Sequence, residues 1–235
     1  MTRLGVVTGM TSEARCLPRE VAGTAPLVAC SGADSARAAA GARRLIADGA
    51  EALLSFGLAG GLDPRLNPGD LIVADMVIDR RREVYDTDLA WRVALFQALE
   101  AARPTGGAVL GSETPVVSAE EKTKLRDATG AVAVDMESFA VASVAEEAGV
   151  PFAILRAVAD PLWRDVPRAA RAGIADDGGV RVGAVLAGLI MAPWQLVSLI
   201  AIAIEARQGL AALGRAAEST PDLGVSREIS DRTEV

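Results

Sequence analysis

Short apolar runs alternate with longer alanine-rich stretches through the first two thirds of this chain, and that alternation limits the fold more than any single residue does. Residues 4–7, 26–30, 52–56, 107–111, 132–134 and 152–158 each read as a short buried strand bounded by Gly, Pro, Ser or Asp. Between them lie stretches of helical length at residues 12–20, 34–47, 89–102, 119–128 and 137–149, the last stopped by Gly149 and Pro151. Strand and helix in alternation predict an α/β fold with three layers, a twisted mixed central sheet flanked by helices. Residues 68–78 read as a further strand pair and residues 57–61 as a glycine-rich loop closing the third strand. In open α/β sheets ligands settle beyond the carboxyl ends of the strands, so the turns holding Glu13, residues 31–34 and residues 57–61 are expected to face one crevice.

Composition narrows what such a crevice could do. The chain has 235 residues, enough for one substantial core, with 31 acidic against 24 basic side chains and no histidine. Its net charge of −7 gives no general attraction to nucleic acid or anionic lipid, so no nucleic-acid partner is expected. Without histidine, protons near neutral pH have to be moved by carboxylates. Cys16 and Cys30 have neither metal-ligand spacing nor a disulfide framework, and no apolar leader follows Arg3, which together predict a cytoplasmic protein with no metal.

Two segments carry acids where chemistry would need them. Val134-Asp135-Met136-Glu137-Ser138 sets a carboxylate at a helix entrance, and the run from Phe152 through Arg156-Ala157-Val158-Ala159-Asp160 sets another at a strand exit. With Val7-Thr8-Gly9-Met10-Thr11-Ser12-Glu13 and Gly57-Leu58-Ala59-Gly60-Gly61-Leu62-Asp63-Pro64, they make a set that resembles the nucleoside phosphorylase and nucleosidase superfamily over about residues 4–162. The short amino-terminal half and long apolar end are most similar to its hopanoid-associated branch, thought to remove adenine from adenosylhopane. The resemblance implies a homodimer acting on a small nucleoside with an apolar 5′ substituent, and no cofactor.

What the resemblance implies for each residue can be weighed against plainer roles. Asp160 becomes the acid that protonates the departing purine, worth about 10²–10⁴-fold in rate, or else merely closes a strand turn before Pro161. Glu137 becomes the ribose anchor, accepting from a sugar hydroxyl, while Asp135 reads better as a first-turn acid serving the helix dipole. Glu13 would activate water; several phosphorylases carry a phosphate-binding arginine at that position and another where this chain has Ser55, so hydrolysis stands ahead of phosphorolysis. Met136 would pack on the sugar, Val116 would read the base edge, Leu58, Ala59 and Gly60 would approach the sugar through their backbone, and Phe152 is assigned to the same site. A catalytically silent nucleoside- or lipid-binding module is the rival from another class.

The chain changes character after residue 169. Residues 182–204 hold no charge and pass the length test for a membrane span, but Pro193, Gln195 and Ser198 favour two successive helices at 182–191 and 194–213. Most apolar helices are core. The sharper expectation is that Trp194, Leu196, Leu199, Ile200 and Ile204 form a greasy groove or peripheral membrane contact. A catalytic domain is thus expected over residues 1–215, with a mobile polar tail at 216–235.

Overall fold

The computed structural model describes residues 2–167, 178–179 and 195–225. A mixed α/β fold with a central mixed sheet emerges, its strands β1 (Leu4–Thr8), β2 (Leu27–Cys30), β3 (Ala52–Gly61), β4 (Leu71–Val73), β5 (Met76–Ile78), β6 (Val84–Asp86), β7 (Ala108–Gly111), β8 (Ala133–Asp135) and β9 (Phe152–Asp160). The helices are α1 (Thr11–Ala14), α2 (Ser35–Ala47), α3 (Leu89–Ala98), α4 (Ala119–Thr129), α5 (Ser138–Ala148) and α6 (Leu196–Ser219). The strand order is β2-β1-β3-β8-β7-β5-β6, with β9 pairing β3 and β4.

β3 organises this sheet. Its first half pairs in parallel with β1, from Leu4 opposite Ala52 to Val7 opposite Ser55. β1 ends at Thr8, and the far end of β3 then pairs antiparallel with β8 at Gly60 and Gly61. Along its other edge it runs parallel to β9 from Leu53–Phe152 to Gly60–Asp160, with a bulge near the end.

Two apolar layers sandwich the sheet. Leu54, Phe56, Leu155 and Ala157 pack with Trp91, Leu95 and Leu213 on one face. Leu53, Ile154 and Val158 pack with Ala38, Ala42, Val141 and Ala145 on the other. Alternation along β9 decides who faces what, because successive side chains of a strand point to opposite faces. Arg156 shares the parity of Ile154 and Val158, so it projects toward the α5 side.

Local chemistry sets several helix ends. Asp34 accepts the Arg37 N–H at 2.8 Å, Asp88 that of Trp91 at 2.9 Å and Ser118 that of Glu121 at 3.1 Å. Gly130 and Gly149 close α4 and α5 in the left-handed conformation.

Several expectations are corrected. Residues 57–61 are strand, because β8 and β9 supply its far end with partners. β4 and β5 do not pair with each other; β4 pairs β9, whereas β5 lies between β6 and β7. The helix at residues 12–20 stops at Ala14, and Ser12 lies inside it; Pro18 has no N–H to continue it. α6 runs to Ser219, and Leu223 and Val225 are buried, with the Trp91 indole N–H donating to the Leu223 carbonyl at 2.7 Å. Residues 216–225 therefore belong to the core and not to a tail, while 226–235 lie outside the described residues, as do the expected helix at 182–191 and Trp194.

α6 is long and apolar enough to cross a membrane by length and composition alone. Its second half packs inward through Gly209, Ala212, Leu213, Ala216 and Ala217. Its first half exposes Leu196, Val197, Ile200 and Ile204.

Candidate active site

At the end of β1 the chain turns through Gly9 and Met10 into α1, whose single turn folds Glu13 back over the strand exit. Glu13 Oε2 accepts the N–H groups of Gly9 and Met10, both at 2.8 Å, and Oε1 accepts that of Leu58 at 2.9 Å. The carboxyl is thus buried, not an exposed helix-start acid. Burial pushes its pKa up, opposed by the nearby Arg156 charge and by the three backbone N–H groups. A general base benefits from such a shift toward neutrality.

Glu137 stands at the entrance to α5 and meets Glu13 around Gly9. A Cβ on Gly9 would lie 2.7 Å from Glu137 Oε1 and 3.4 Å from Glu13 Oε2. Ser31, from the turn after β2, donates to Glu137 Oε1 at 3.4 Å. The turns holding Glu13 and Ser31 and the backbone at Gly57 and Leu58 therefore come together beside Glu137.

Arg156 ties the group together. Its Nη2 donates to Ser55 Oγ at 2.6 Å, Ser138 Oγ at 3.1 Å and Glu137 Oε2 at 3.3 Å. Its Nε lies 2.7 Å from Asp135 Oδ2, an ionic contact off the line of a hydrogen bond. Gly57 leaves the room this requires, since a Cβ there would sit 2.6 Å from both Arg156 Nη1 and Glu13 Oε2. Asp135 also accepts the Ser138 N–H at 3.0 Å, so it caps α5 as well as pairing with the arginine. Three buried carboxyls here share one guanidinium. Burial and the like charges of Asp135 and Glu13 outweigh Arg156 at Glu137, whose pKa is pushed up to about 7.

Asp160 forms a second group further along the same strand pair. It sits opposite Gly60, whose Cβ would lie 3.2 Å from Asp160 Oδ2. The Asp160 carboxyl is bound by Lys122 of α4, whose Nζ donates to Oδ2 at 2.5 Å. Burial raises the Asp160 pKa, Lys122 opposes the rise, and Glu205 reinforces it. Among the described residues, no hydrogen bond or ion pair joins Asp160 to the Glu13 group.

The other assigned contacts divide. Met136 is half-buried beside Glu137, Leu58 supplies the N–H held by Glu13, and Ala59 and Gly60 continue that strand. Val116 packs with Leu62, Leu110 and Val134. Phe152 does not belong here. It starts β9, eight residues before Asp160 or about 26 Å of extended chain, and lines a separate hollow with Tyr85, Glu146 and Pro151. A strand places its two ends on opposite edges of the sheet, and Phe152 is at the wrong one.

Arg156 and Lys122 are the site residues that sequence reasoning did not assign. For Arg156 there was a signal, a lone cation inside an apolar strand, which needs buried anions. Lys122 gave none, since it lies in the polar run Glu120-Glu121-Lys122-Thr123-Lys124. Among the described residues no group of three His, Cys, Asp or Glu is arranged to hold a metal.

This geometry can be set beside known proteins. A family model described as the phosphorylase superfamily matches residues 18–190. Futalosine hydrolase of Streptomyces coelicolor is 32% identical over 164 residues, covering 63% of this chain and 66% of that protein. The 5′-methylthioadenosine/S-adenosylhomocysteine nucleosidase of Staphylococcus epidermidis is 28% identical over 129 residues, covering 47% of this chain and 57% of that protein. The chain thus spans less than two thirds of the length of these curated relatives. Among solved structures, futalosine hydrolase of Helicobacter pylori aligns with a TM-score of 0.70 at 17% identity, covering 94% of this chain and 97% of that one. The nucleosidase of Neisseria meningitidis in complex with methylthio-immucillin-A aligns at 0.71 and 18% identity, covering 94% and 99%. These two likenesses concern the fold.

Proposed function

The chain belongs to the phosphorylase superfamily, and from that premise we propose that it hydrolyses the N-glycosidic bond of a 5′-substituted adenosine, releasing adenine. The names of its relatives, a futalosine hydrolase and methylthioadenosine/S-adenosylhomocysteine nucleosidases, support a nucleoside substrate and water as the second reactant. The observation that carries the reading is Glu13, buried at a strand exit, poised by three backbone N–H groups and facing a second carboxyl at Glu137.

In this reading the oxygen of water attacks C1′ as the bond from C1′ to the purine nitrogen breaks. Glu13 takes a proton from that water, and Asp160 delivers its own proton to the leaving purine at N7, so the products are neutral adenine and a free sugar hydroxyl. Glu137 accepts from a ribose hydroxyl and steadies the positive charge that grows on the ring. Phosphate is disfavoured as the attacking group because the guanidinium in this cluster is already engaged by Asp135 and Glu137. Like charge at Glu13 would also repel it.

The 5′ substituent is proposed to be a long hydrocarbon, as in adenosylhopane, and the exposed Leu196, Val197, Ile200 and Ile204 support it as a surface such a chain or its membrane could touch. A homodimer is part of the same proposal.

Adenine release from methylthioadenosine and adenosylhopane, each with and without phosphate, tests the whole reading. Phosphate-independent release from at least one substrate is expected. Strict dependence on phosphate would replace hydrolysis by phosphorolysis, and binding of adenosines with no release would make the chain a binding module. Ile200→Ser with Ile204→Ser should lower turnover of adenosylhopane while sparing methylthioadenosine; equal turnover of both substrates would remove the hydrocarbon surface from the proposal.

A further inference from the structure

Outside the Glu13 group, Lys122 is the fully buried lysine among the described residues, a position a lysine tolerates only when its ammonium is well paired. Its Nζ reaches the Asp160 carboxyl, the Asp160 carbonyl at 3.2 Å, the Pro161 carbonyl at 2.9 Å and the Arg164 carbonyl at 3.1 Å. Three of those acceptors are backbone and would account for a lysine that merely ties down a turn. The fourth is the carboxyl assigned as the proton donor.

We propose that Lys122 is a positioning residue for Asp160, fixing the orientation of its carboxyl and setting the pH at which it carries a proton. This rests on the function proposed above. Among the described residues, the charges near Asp160 come from three elements. Lys122 belongs to α4, Arg164 to the turn after β9 and Glu205 to α6. Glu205 is gripped by Arg164, with Nε at 2.9 Å from Oε1 and 3.1 Å from Oε2. Glu205 still pushes the Asp160 pKa up from nearby, and Lys122 is the cation in direct contact with the carboxyl. An ammonium touching a carboxylate favours its charged form. Proton donation to a purine therefore requires Asp160 to loosen that contact, and the ammonium decides how readily it does so. The Lys122 contacts to the 161 and 164 carbonyls also hold the turn, so that the carboxyl moves against a fixed frame.

The test is an NMR titration of the Asp160 carboxyl, labelled with ¹³C and assigned through Asp160→Asn, in the wild-type chain and in Lys122→Met. Removing the cation should raise the midpoint by roughly 1–3 pH units. In kcat/KM for adenine release, the alkaline limb should move in the same direction, because a higher pKa keeps the donor protonated to higher pH. Lys122→Arg, which retains the charge, should keep both near wild type. Should Lys122→Met fold poorly, Lys122→Gln retains a donor for the carbonyls and carries the same expectation. A midpoint that stays at its wild-type value in the neutral variant overturns the inference, even if that variant is less stable. A shifted midpoint in a protein that releases no adenine would uphold the electrostatic role and sink the proposed function, so the two failures are distinguishable.

Discussion

Two groups of buried or half-buried acids lie along the same pair of strands, and they differ in how many carboxyls each cation must serve. Around Arg156, the acids Glu13, Asp135 and Glu137 share one guanidinium. Around Lys122, Asp160 has an ammonium to itself, and the neighbouring Glu205 has its own partner in Arg164. In the crowded group burial, together with the charges of Asp135 and Glu13, outweighs the shared guanidinium, so Glu137 rises to about 7 and can exchange a proton near neutrality. Burial raises Asp160 as well, but there a touching ammonium opposes the rise. Carboxyls matched to cations at different stoichiometry, in the proposed function, would give one group that holds water and sugar and another that delivers a single proton.

The comparison can be broken most severely at the crowded group. Glu13→Gln should reduce adenine release by about 10²–10⁴-fold while the folded protein still binds a non-hydrolysable adenosine analogue, measured by steady-state kinetics beside calorimetry. Next in size, Arg156→Met strands three carboxyls without a cation and should cost about 3–5 kcal/mol in urea unfolding. Gly57→Ala comes third, at about 1–3 kcal/mol, because its methyl would press on Arg156 and Glu13 at 2.6 Å. Gly60→Ala, whose nearest neighbours stand at 3.2 and 3.3 Å, should cost less than Gly57→Ala in the same experiment. If Gly60→Ala proves the costlier, the crowding assigned to the first group is misplaced.

The smallest effect is a pH slope. The folded pKa of Glu137, about 7, stands above its ordinary value, so the stability that its proton confers is complete below the ordinary carboxylate range and is lost as pH rises through 7. Thermal melts of the wild-type chain should therefore fall over that interval, and Glu137→Gln should flatten the fall. A melting temperature in the Gln variant that drops as steeply as in wild type would assign the slope to another group.

Much of this was legible in the chain before any fold was known. Strand runs, the helix starts near Asp34 and Ala119 and the stop at Gly149 are local, and each depends on a few adjacent residues. Glu13 and Glu137 were legible as motif residues that converge. What escaped depends on partners remote in sequence. Residues 57–61 read as a loop because their strand character comes from β8 and β9, more than seventy residues away. Lys122 looked like one more surface charge because its burial is created by the turn after Asp160. Residues 216–225 read as a tail because Leu223 and Val225 are isolated apolar residues that only Trp91 and its neighbours make into core.

β3 also acts as a gauge bar. Gly57 marks the crowded group and Gly60 the evenly matched one, three strand steps or roughly 10 Å apart, with the β9 register shifting between Ala59 and Gly60. Under the proposed function a lone base or a lone sugar would be too short to engage both marks at once, so the intact conjugate would be favoured over either fragment, and the fragments would lose their shared grip as soon as the bond between them parts.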